Sequence, residues 1–249
     1  MKIIAASIIK NVAPFIESMI NSISWVDKII LYNDHSTDKT GEIVSNLSNR
    51  TNGPEINLIK PLFRRSMISY LPDGSRDLQY EMKIRNTFIE YIFSNFDLDA
   101  LVLIDGDELM SKNFKVFIEK IIKDPLHDSI AITCNHILDK KTYLHIYETT
   151  WNNVFMVDPH VRVLTKLQKY QRGEYKDVPD CFIKPSPRTL CLDGAYHYHL
   201  KYIKDLKQRN YALRFLPKYL DNLSIKKYSQ KNRYSFPSDL KELINNYCN

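Results

Sequence analysis

The sequence LVLIDGDEL, residues 101–109, is the stretch that best predicts the fold of this chain. Its four consecutive aliphatic residues indicate a strand that is buried on both faces. Three carboxylates follow within four positions, at Asp105, Asp107 and Glu108. Because close carboxylates repel one another, the cluster favours a divalent cation that neutralises it together with an anionic ligand such as a diphosphate. A strand that ends in an ordinary acidic turn is the alternative that this motif leaves open.

Strand and helix patterns alternate on either side of this stretch, and strand-helix-strand units build parallel sheets. Short β-like runs without helices between them follow from residue 143, which predicts an added smaller sheet. Residues 61–77 are predicted to form a loop that covers the site, and residues 168–187 a second loop. The predicted strands are 2–9, 28–32, 55–60, 101–104, 130–134, 143–147, 154–157, 161–164 and 195–200, and the predicted helices are 14–23, 43–47, 78–96, 114–122 and 201–216.

Length and composition are those of an ordinary soluble globular protein. The 249 residues are 44% hydrophobic and 26% charged, which is enough for one sizeable core. The net charge of +6 is uneven, because basic residues outnumber acidic ones between positions 201 and 241. This basic region predicts either a contact with an anionic partner, such as a nucleotide, nucleic acid or membrane surface, or a solvated helix face.

The cysteines and the N-terminal segment predict a cytoplasmic location. The four cysteines show no CxxC pair and no metal-ligand spacing, so reduced thiols are favoured over a disulfide framework. The apolar run 3–9 is too short for a signal-peptide core or a membrane span. Any work at a membrane is therefore predicted to occur on its inner face, from the surface. The cysteines are Cys134, Cys181, Cys191 and Cys248.

Polar residues also occur where a ligand site is expected. Asn33 and Asp34 follow the second strand at its carboxyl end, where open α/β sheets bind ligands. Asp34 is thus a candidate for a ribose or base contact, or else a turn residue. Arg85 lies on the apolar stripe of helix 78–96 and needs an anion, which is Asp34, Asp105 or a phosphate.

Two histidines form the last candidate group. In an alternating strand, His197 and His199 lie on one face together with Ala195. Such a pair suits a metal or a diphosphate, and a purely structural role is the alternative.

With these residues in hand, the chain resembles the family 2 glycosyltransferases of GT-A fold, and it looks most like the bacterial subgroup that includes lipopolysaccharide core sugar transferases. Residues 24–40, SWVDKIILYNDHSTDKT, are similar to that group's second strand and nucleotide motif. Residues 85–86 are similar to its Arg-Asn helix motif, and residues 104–108 to its DxD motif followed by glutamate. The resemblance covers residues 3–110 closely, and beyond them it is limited to Arg162 and the histidine pair.

The resemblance implies a Rossmann-like, mostly parallel α/β sheet with helices on both faces, a smaller C-terminal sheet and a helical tail. It also implies transfer of a sugar, with inversion, from a nucleotide-sugar donor to a hydroxyl acceptor, which is a glycan, a lipid-linked glycan, a protein or a modified nucleic acid. The implied donor-binding residues are Asn33, Asp34, Arg85, Asn86 and Asp105, and the implied ligands of Mn²⁺ or Mg²⁺ are Asp105, Asp107 and His197 or His199.

The sequence departs from the family pattern at two positions. The common Asp-Asp pair is Asn33-Asp34 here, and no clear Glu-Asp motif supplies a general base. An inverting transfer needs a carboxylate that removes the acceptor hydroxyl proton. Asp180 is the first candidate for this role, followed by Asp177 and Glu174.

The chain is predicted to consist of a nucleotide-sugar-binding half (1–135), an acceptor-side half of the same domain (136–200) and a basic helical extension (201–249) that contacts a membrane. Two other functions are considered. A nucleotidyltransferase would need a glycine-rich phosphate loop near the N-terminus, and residues 3–11 contain no glycine. A non-catalytic module would hold an anionic polymer, such as DNA, on its basic tail.

Overall fold

Isoleucine-rich segments form the first strands, because β-branched side chains pack well on a pleated sheet. A computed structural model describes residues 1–50, 52–111, 114–124, 126–138, 142–145, 148–175, 178–204 and 224–227. In its first half the strands are β1 (Ile3–Ile9), β2 (Lys28–Asn33), β3 (Glu55–Ile59) and β4 (Ala100–Leu103), and the helices are α1 (Ile16–Ser22), α2 (Thr40–Ser48) and α3 (Leu78–Asn95). These strands are parallel, in the order β3-β2-β1-β4.

The second half is mainly β-structure. Its elements are β5 (Glu108–Met110), α4 (Phe114–Ile122), β6 (Ser129–Ile137), β7 (Thr142–His145), β8 (Glu148–Trp151), β9 (Val154–Val157), β10 (Pro159–Leu164), β11 (Tyr170–Tyr175), β12 (Val178–Ile183), β13 (Thr189–His199), α5 (Lys201–Lys204) and β14 (Ser224–Lys227). The large sheet continues from β4 in the order β10-β6-β7-β14, and β13 pairs with both β6 and β5. Two hairpins, β8-β9 and β11-β12, form separate small sheets.

Most strands of the large sheet run in one direction. Strand β10 is antiparallel to both β4 and β6, so β6 runs the same way as β1–β4. Strands β13 and β14 share this direction, whereas β5, β7 and β10 run opposite to it. This arrangement confirms the predicted α/β fold with a mostly parallel sheet and smaller additional sheets. The prediction that the runs 143–147 and 161–164 belong to an added sheet is wrong, because β7 and β10 pair within the large sheet.

Alternation along β1 builds one core layer on each face of the sheet. Ile3 and Ala5 belong to the layer that includes the apolar faces of α1, α2 and α4. Ile4 and Ala6 belong to the layer that includes the apolar face of α3. Each large apolar side chain that is fully buried in these layers stabilises the fold by roughly 1.5–3 kcal/mol. Helices therefore cover both faces of the sheet, as predicted.

The predicted loop at residues 168–187 is wrong, because most of this segment is the β11-β12 hairpin. The backbone of Tyr170 pairs with that of Ile183, and the backbone of Gly173 pairs with that of Asp180. Ile183 is buried in the core layer of α3, and Tyr170 packs against that layer. Tertiary packing thus stabilises a hairpin that the polar sequence of the segment does not indicate.

The end of the chain is described only in part. The predicted helix 201–216 is observed as far as Lys204, and its remainder lies outside the described residues, as does most of the basic extension. Within the described ranges, no helix has the length and apolar character that crossing a membrane requires.

Candidate functional site

Residues 105–108, called the acidic motif below, form the turn that leads from β4 into β5. The amide of Ile104 still donates to the carbonyl of Ala6 in β1, at 3.1 Å. After it, the amide of Glu108 donates to the Asp105 carbonyl at 3.0 Å, and the Asp105 amide donates to Oε2 of Glu108, also at 3.0 Å. These reciprocal hydrogen bonds close the turn at the carboxyl end of β4, which is the edge where α/β sheets bind ligands.

Gly106 is required in this turn because of the space around it. A Cβ atom at this position would lie 2.9 Å from Cγ2 of Val12 and 3.1 Å from Cγ2 of Ile9. Its backbone does not adopt a positive φ, so close approach rather than left-handed conformation explains the glycine.

Replacing Gly106 with alanine is expected to lower the free energy of unfolding by about 1–3 kcal/mol, because the new methyl group overpacks a buried site. Urea unfolding followed by circular dichroism measures the change. Gly41→Ala is the matched control, since its Cβ would meet Nδ2 of Asn33 at an ordinary 3.4 Å and Gly41 lies in α2. Equal stability of the two variants would contradict this account of Gly106.

Arg85 pairs with Asp105, which is one of the three anions that the sequence predicts for it. Its Nη1 lies 3.2 Å from Oδ1 of Asp105, which confirms that pairing. Its Nε donates to Oε1 of Glu81 at 3.0 Å, one helical turn earlier in α3. The guanidinium also lies 5.1 Å from the ring centroid of Tyr170, within cation–π range. Arg85 thus links α3 to the end of β4.

Arg162, on β10, reaches the same motif from the other side. Its Nη2 donates to Oε1 of Glu108 and lies 3.7 Å from Oδ2 of Asp105. Both members of this pair are buried, Arg162 at 5% and Glu108 at 1% exposure. Burial alone would raise the pKa of Glu108, but Arg162 and then His197 hold it well below its usual range. Burial would also raise the pKa of Asp105, but Arg85 and Arg162 outweigh it, so this pKa is lowered.

Both predicted histidines face the acidic motif from β13. This strand pairs antiparallel with β5, and it aligns His199 with Glu108. Nε2 of His199 lies 3.5 Å from Oδ1 of Asp107, and Nδ1 of His197 lies 3.3 Å from Oε1 of Glu108. Burial lowers the pKa of His197 to about 3. Burial would also lower the pKa of His199, but the carboxylate of Asp107 outweighs it and the pKa is raised.

Asp34 lies at the end of β2 and is fully buried. Its Oδ2 accepts from the hydroxyl of Ser66 at 2.6 Å and from the amide of Met67 at 2.9 Å. The loop 61–77 therefore covers this aspartate, as predicted. Oδ1 of the neighbouring Asn33 accepts from the amide of Ser36 at 3.0 Å and stabilises the turn towards α2.

The other predicted donor-side residue, Asn86, joins α3 to β11. Its Oδ1 accepts from the amide of Tyr170 at 2.6 Å, and its Nδ2 donates to the carbonyl of the same residue at 3.1 Å. Asn86 thereby fixes the aromatic ring that lies beside Arg85.

Of the three base candidates, two lie in the described backbone. Glu174 is in β11 and Asp180 is in β12, on opposite strands of the hairpin. The structure does not describe their side chains, and Asp177 lies outside the described residues.

A cleft lies beside Asp105, where α3 and β11 meet the carboxyl end of the sheet. Arg85, Arg162 and Tyr170 line it together with Asp105. Its enclosed space of about 20 Å³ has room for about one water molecule, so the cleft is not a preformed nucleotide pocket.

Sequence reasoning missed a polar cluster that adjoins the histidine pair. It contains Cys134 and His136 of β6 and, from the other side, Asp158 and His160 at the start of β10. Nε2 of His136 lies 3.1 Å from Oδ2 of Asp158, and Nε2 of His160 lies 3.2 Å from Oδ1. Polar residues two positions apart in apolar strands share one face, and this signal was available in the sequence.

The residues around Asp107 fit the divalent cation that the family resemblance implies. Asp107 and His199 keep side-chain exposures of 24% and 18%, so solvent reaches both. Their ligand atoms lie 3.5 Å apart, close to the roughly 3 Å expected for adjacent ligands of an octahedral cation. Asp105 is already paired with two arginines, so Asp107 is the carboxylate that is better placed to bind a cation.

Comparison with known proteins finds likeness in structure but not in sequence. The sequence matches no family profile and no curated protein. A structure of S. aureus TarS 1-349 in complex with UDP-GlcNAc superposes with a TM-score of 0.41 at 17% identity, over 55% of this chain and 35% of that chain. Mannosyltransferase PcManGT from Pyrobaculum calidifontis, in complex with GDP-Man and Mn²⁺, superposes with a TM-score of 0.40 at 18% identity, over 53% and 35%. This chain therefore spans about a third of the length of those two chains.

Proposed function

We propose that this protein is a metal-dependent glycosyltransferase of GT-A type that transfers a sugar from a nucleotide-sugar donor to a hydroxyl acceptor with inversion. The observation that supports it most is the site at the carboxyl end of β4. There, Asp107 faces His199 at 3.5 Å, and Arg85 and Arg162 flank Asp105. This combination of acidic and basic groups suits a diphosphate that is bound together with a cation.

In this proposal, Asp107 and His199 hold Mn²⁺ or Mg²⁺, and Asp105 completes the acidic side of the site. When bound, the cation stabilises the negative charge that develops on the departing nucleoside diphosphate. Arg85 and Arg162 keep Asp105 ionised, because they lower its pKa. Arg85 also lines the cleft, where its guanidinium is available to a phosphate.

The nucleoside is proposed to bind at the end of β2, near Asn33 and Asp34. Asp34 is fully buried under Ser66 and Met67, so it contacts a nucleoside only after the loop 61–77 has released it. Until then its carboxylate positions that loop. Asn86 has a related role, since it positions Tyr170 beside Arg85.

The general base of the inverting reaction is proposed to be Asp180, with Asp177 and Glu174 as the next candidates. Glu174 and Asp180 belong to the β11-β12 hairpin, Asp177 falls between these two strands in the sequence, and the hairpin borders the cleft through Tyr170. A base at this position would accept the acceptor hydroxyl proton while the oxygen attacks the sugar carbon from the side opposite to the diphosphate.

Replacing Asp180 with asparagine is expected to lower turnover by about 10²-fold, because a positioned base contributes at least that much. Donor affinity, measured by calorimetry, should stay unchanged, since the base touches the acceptor rather than the donor. The Asp177→Asn and Glu174→Gln variants serve as matched controls. If one of them loses turnover instead, the base is reassigned to that residue.

The function itself is tested with a panel of UDP- and GDP-sugars in the presence of Mn²⁺. At least one of them should raise the melting temperature, because a ligand that binds only the folded protein stabilises it. With that donor, turnover should release a nucleoside diphosphate and stop when EDTA is added. Release of pyrophosphate would indicate a nucleotidyltransferase, and absence of any nucleotide binding would favour a polymer-binding module.

A location at the inner face of a membrane, through the basic extension, is part of the same proposal. Membrane binding is tested by co-sedimentation of the full chain with anionic and with neutral vesicles. Binding to the anionic vesicles alone is expected, and it should weaken as salt is added.

A further inference from the structure

A second group of metal-binding side chains lies behind the acidic motif, where three neighbouring strands bring it together. His197 of β13 is aligned with Cys134 of β6, and the amide of Cys134 donates to the carbonyl of Asp158 at 2.9 Å. His160 follows two residues later in β10. The ligand atoms of Cys134, His160 and His197 all lie within 4.8 Å of one another.

His197 is the member of this group that is buried without a hydrogen-bond partner. Its side chain has no exposure, yet within the described part of the chain neither ring nitrogen has a hydrogen-bond partner. Nδ1 lies 3.3 Å from Oε1 of Glu108, but without the geometry of a hydrogen bond. A buried polar group without a partner costs about 1–3 kcal/mol, and native proteins rarely keep one without a reason.

We propose that Cys134, His160 and His197 bind one transition-metal ion, with zinc as the first candidate. A thiolate and two imidazoles form a ligand set that zinc prefers, whereas Mn²⁺ and Mg²⁺ prefer carboxylates and water. On a tetrahedral zinc ion such ligand atoms lie roughly 3.3–3.6 Å apart, so the present group needs side-chain shifts of about 1 Å. Three protein ligands leave the fourth position open, and the partly exposed His160 gives solvent access to it.

Neighbouring side chains support these three ligands. Oδ1 of Asp158 lies 3.2 Å from Nε2 of His160 and orients this ring, as carboxylates do for metal-binding histidines. Nδ1 is then the metal-binding atom, and Nη2 of Arg162, which lies 3.4 Å from it, has to move aside when the metal binds. His136 is also close to Cys134, at 3.5 Å, but its ring is already engaged with Asp158 and with His199. Only Nδ1 of His197 approaches a carboxylate, that of Glu108, and its Nε2 has no hydrogen-bond partner among the described residues, so His197 is the better ligand.

Zinc binding also has a defined proton balance. The imidazoles bind in their neutral form and the thiol binds as the thiolate, so binding forms one sulfur–zinc bond and releases the thiol proton to solvent.

In this proposal, His197 and His199 bind different metal ions. His199 faces Asp107 and serves the catalytic cation, while His197 faces the sulfur of Cys134 and serves the second ion. The second site links β6, β10 and β13. It does not depend on the proposed function, because metal content is measured without any sugar transfer.

The test uses the full chain, purified without chelators from a zinc-supplemented culture and analysed by inductively coupled plasma mass spectrometry. One zinc ion per chain is expected, and the Cys134→Ser and His160→Ala variants should contain none. Cys191→Ser is the matched control, because Cys191 is also buried but lies outside the group. Asp107→Asn should keep its zinc, which separates this site from the catalytic one.

A second measurement uses cobalt in place of zinc and does not depend on whether a variant folds. The unmodified protein, stripped of metal and loaded with Co²⁺, should show a thiolate-to-cobalt charge-transfer band, and equimolar zinc should remove it. A protein that binds no zinc, a cobalt complex without this band, or a folded Cys134→Ser variant with its full zinc content would overturn the proposal.

Discussion

Replacing Asp107 with asparagine is expected to lower sugar transfer by about 10³-fold, the largest effect of any substitution on activity. Asp107 is the carboxylate that faces His199 at 3.5 Å, and among the described residues it makes no ion pair with an arginine, unlike Asp105. Under the proposed function, asparagine keeps the shape but removes the charge that would hold the cation. Each 1.4 kcal/mol of lost transition-state stabilisation slows the reaction about tenfold. A loss of several kcal/mol therefore accounts for the expected effect.

The measurement is initial-rate transfer at saturating donor, with and without added Mn²⁺. Excess Mn²⁺ should restore part of the activity of the variant, because its defect is in metal binding. Asp97→Asn is the control, since Asp97 is an exposed aspartate that pairs only with Lys2 among the described residues. An Asp107→Asn enzyme as active as Asp97→Asn, or a wild-type enzyme indifferent to EDTA, would refute the metal role.

Replacing Glu108 with glutamine is expected to produce the largest loss of stability, about 3 kcal/mol. The substitution leaves the charge of Arg162 buried and without its main partner, because Asp105 is farther away at 3.7 Å. For a chain of this size the melting temperature should fall by roughly 6–12 °C. Removing one partner of a buried ion pair is costly even where the intact pair adds little.

The double variant Glu108→Gln/Arg162→Met should recover part of this loss, because no unpaired charge then remains. An exposed pair provides the control. Glu17 lies 2.7 Å from Arg50, but more than half of each side chain is exposed, so Glu17→Gln should have little effect. Urea denaturation gives all three free energies. A double variant that is less stable than Glu108→Gln would contradict the explanation.

The same pair predicts how stability changes in acid. The pKa of Glu108 is lowered in the folded state, so its contribution is fully present above its unfolded pKa of about 4.3. The contribution is lost as the pH falls through the folded value. The stability difference between wild type and Glu108→Gln should therefore be constant near neutral pH and shrink below about pH 4. A difference that grows in acid would be inconsistent with an ionised Glu108.

The sequence was sufficient for the parts of the site that are built from local patterns. The run of aliphatic residues before Asp105 gave β4, because consecutive apolar residues form strands that are buried on both faces. Helical spacing put Arg85 on the inner face of α3, where it does meet Asp105. Alternation along β13 put His197 and His199 on one face, and both reach the acidic motif.

The remaining parts depend on strand order, which no local pattern contains. Arg162 contacts Glu108 because β10 lies between β4 and β6 in the sheet, although it follows both in the chain. The same insertion brings His160 close to Cys134, a proximity that no spacing in the sequence indicates. The β11-β12 hairpin was missed for a related reason, since its stability comes from packing against α3.

The position of β10 also determines when the protein can finish folding. A ribosome completes β4 and β6 before residues 159–164 exist, so these two strands cannot reach their final spacing until the intervening strand has been synthesised. Glu108 then remains without Arg162 during much of translation. A nascent chain arrested before residue 159 is expected to be sensitive to proteases around β4, and residues 1–135 are expected not to fold as an independent unit.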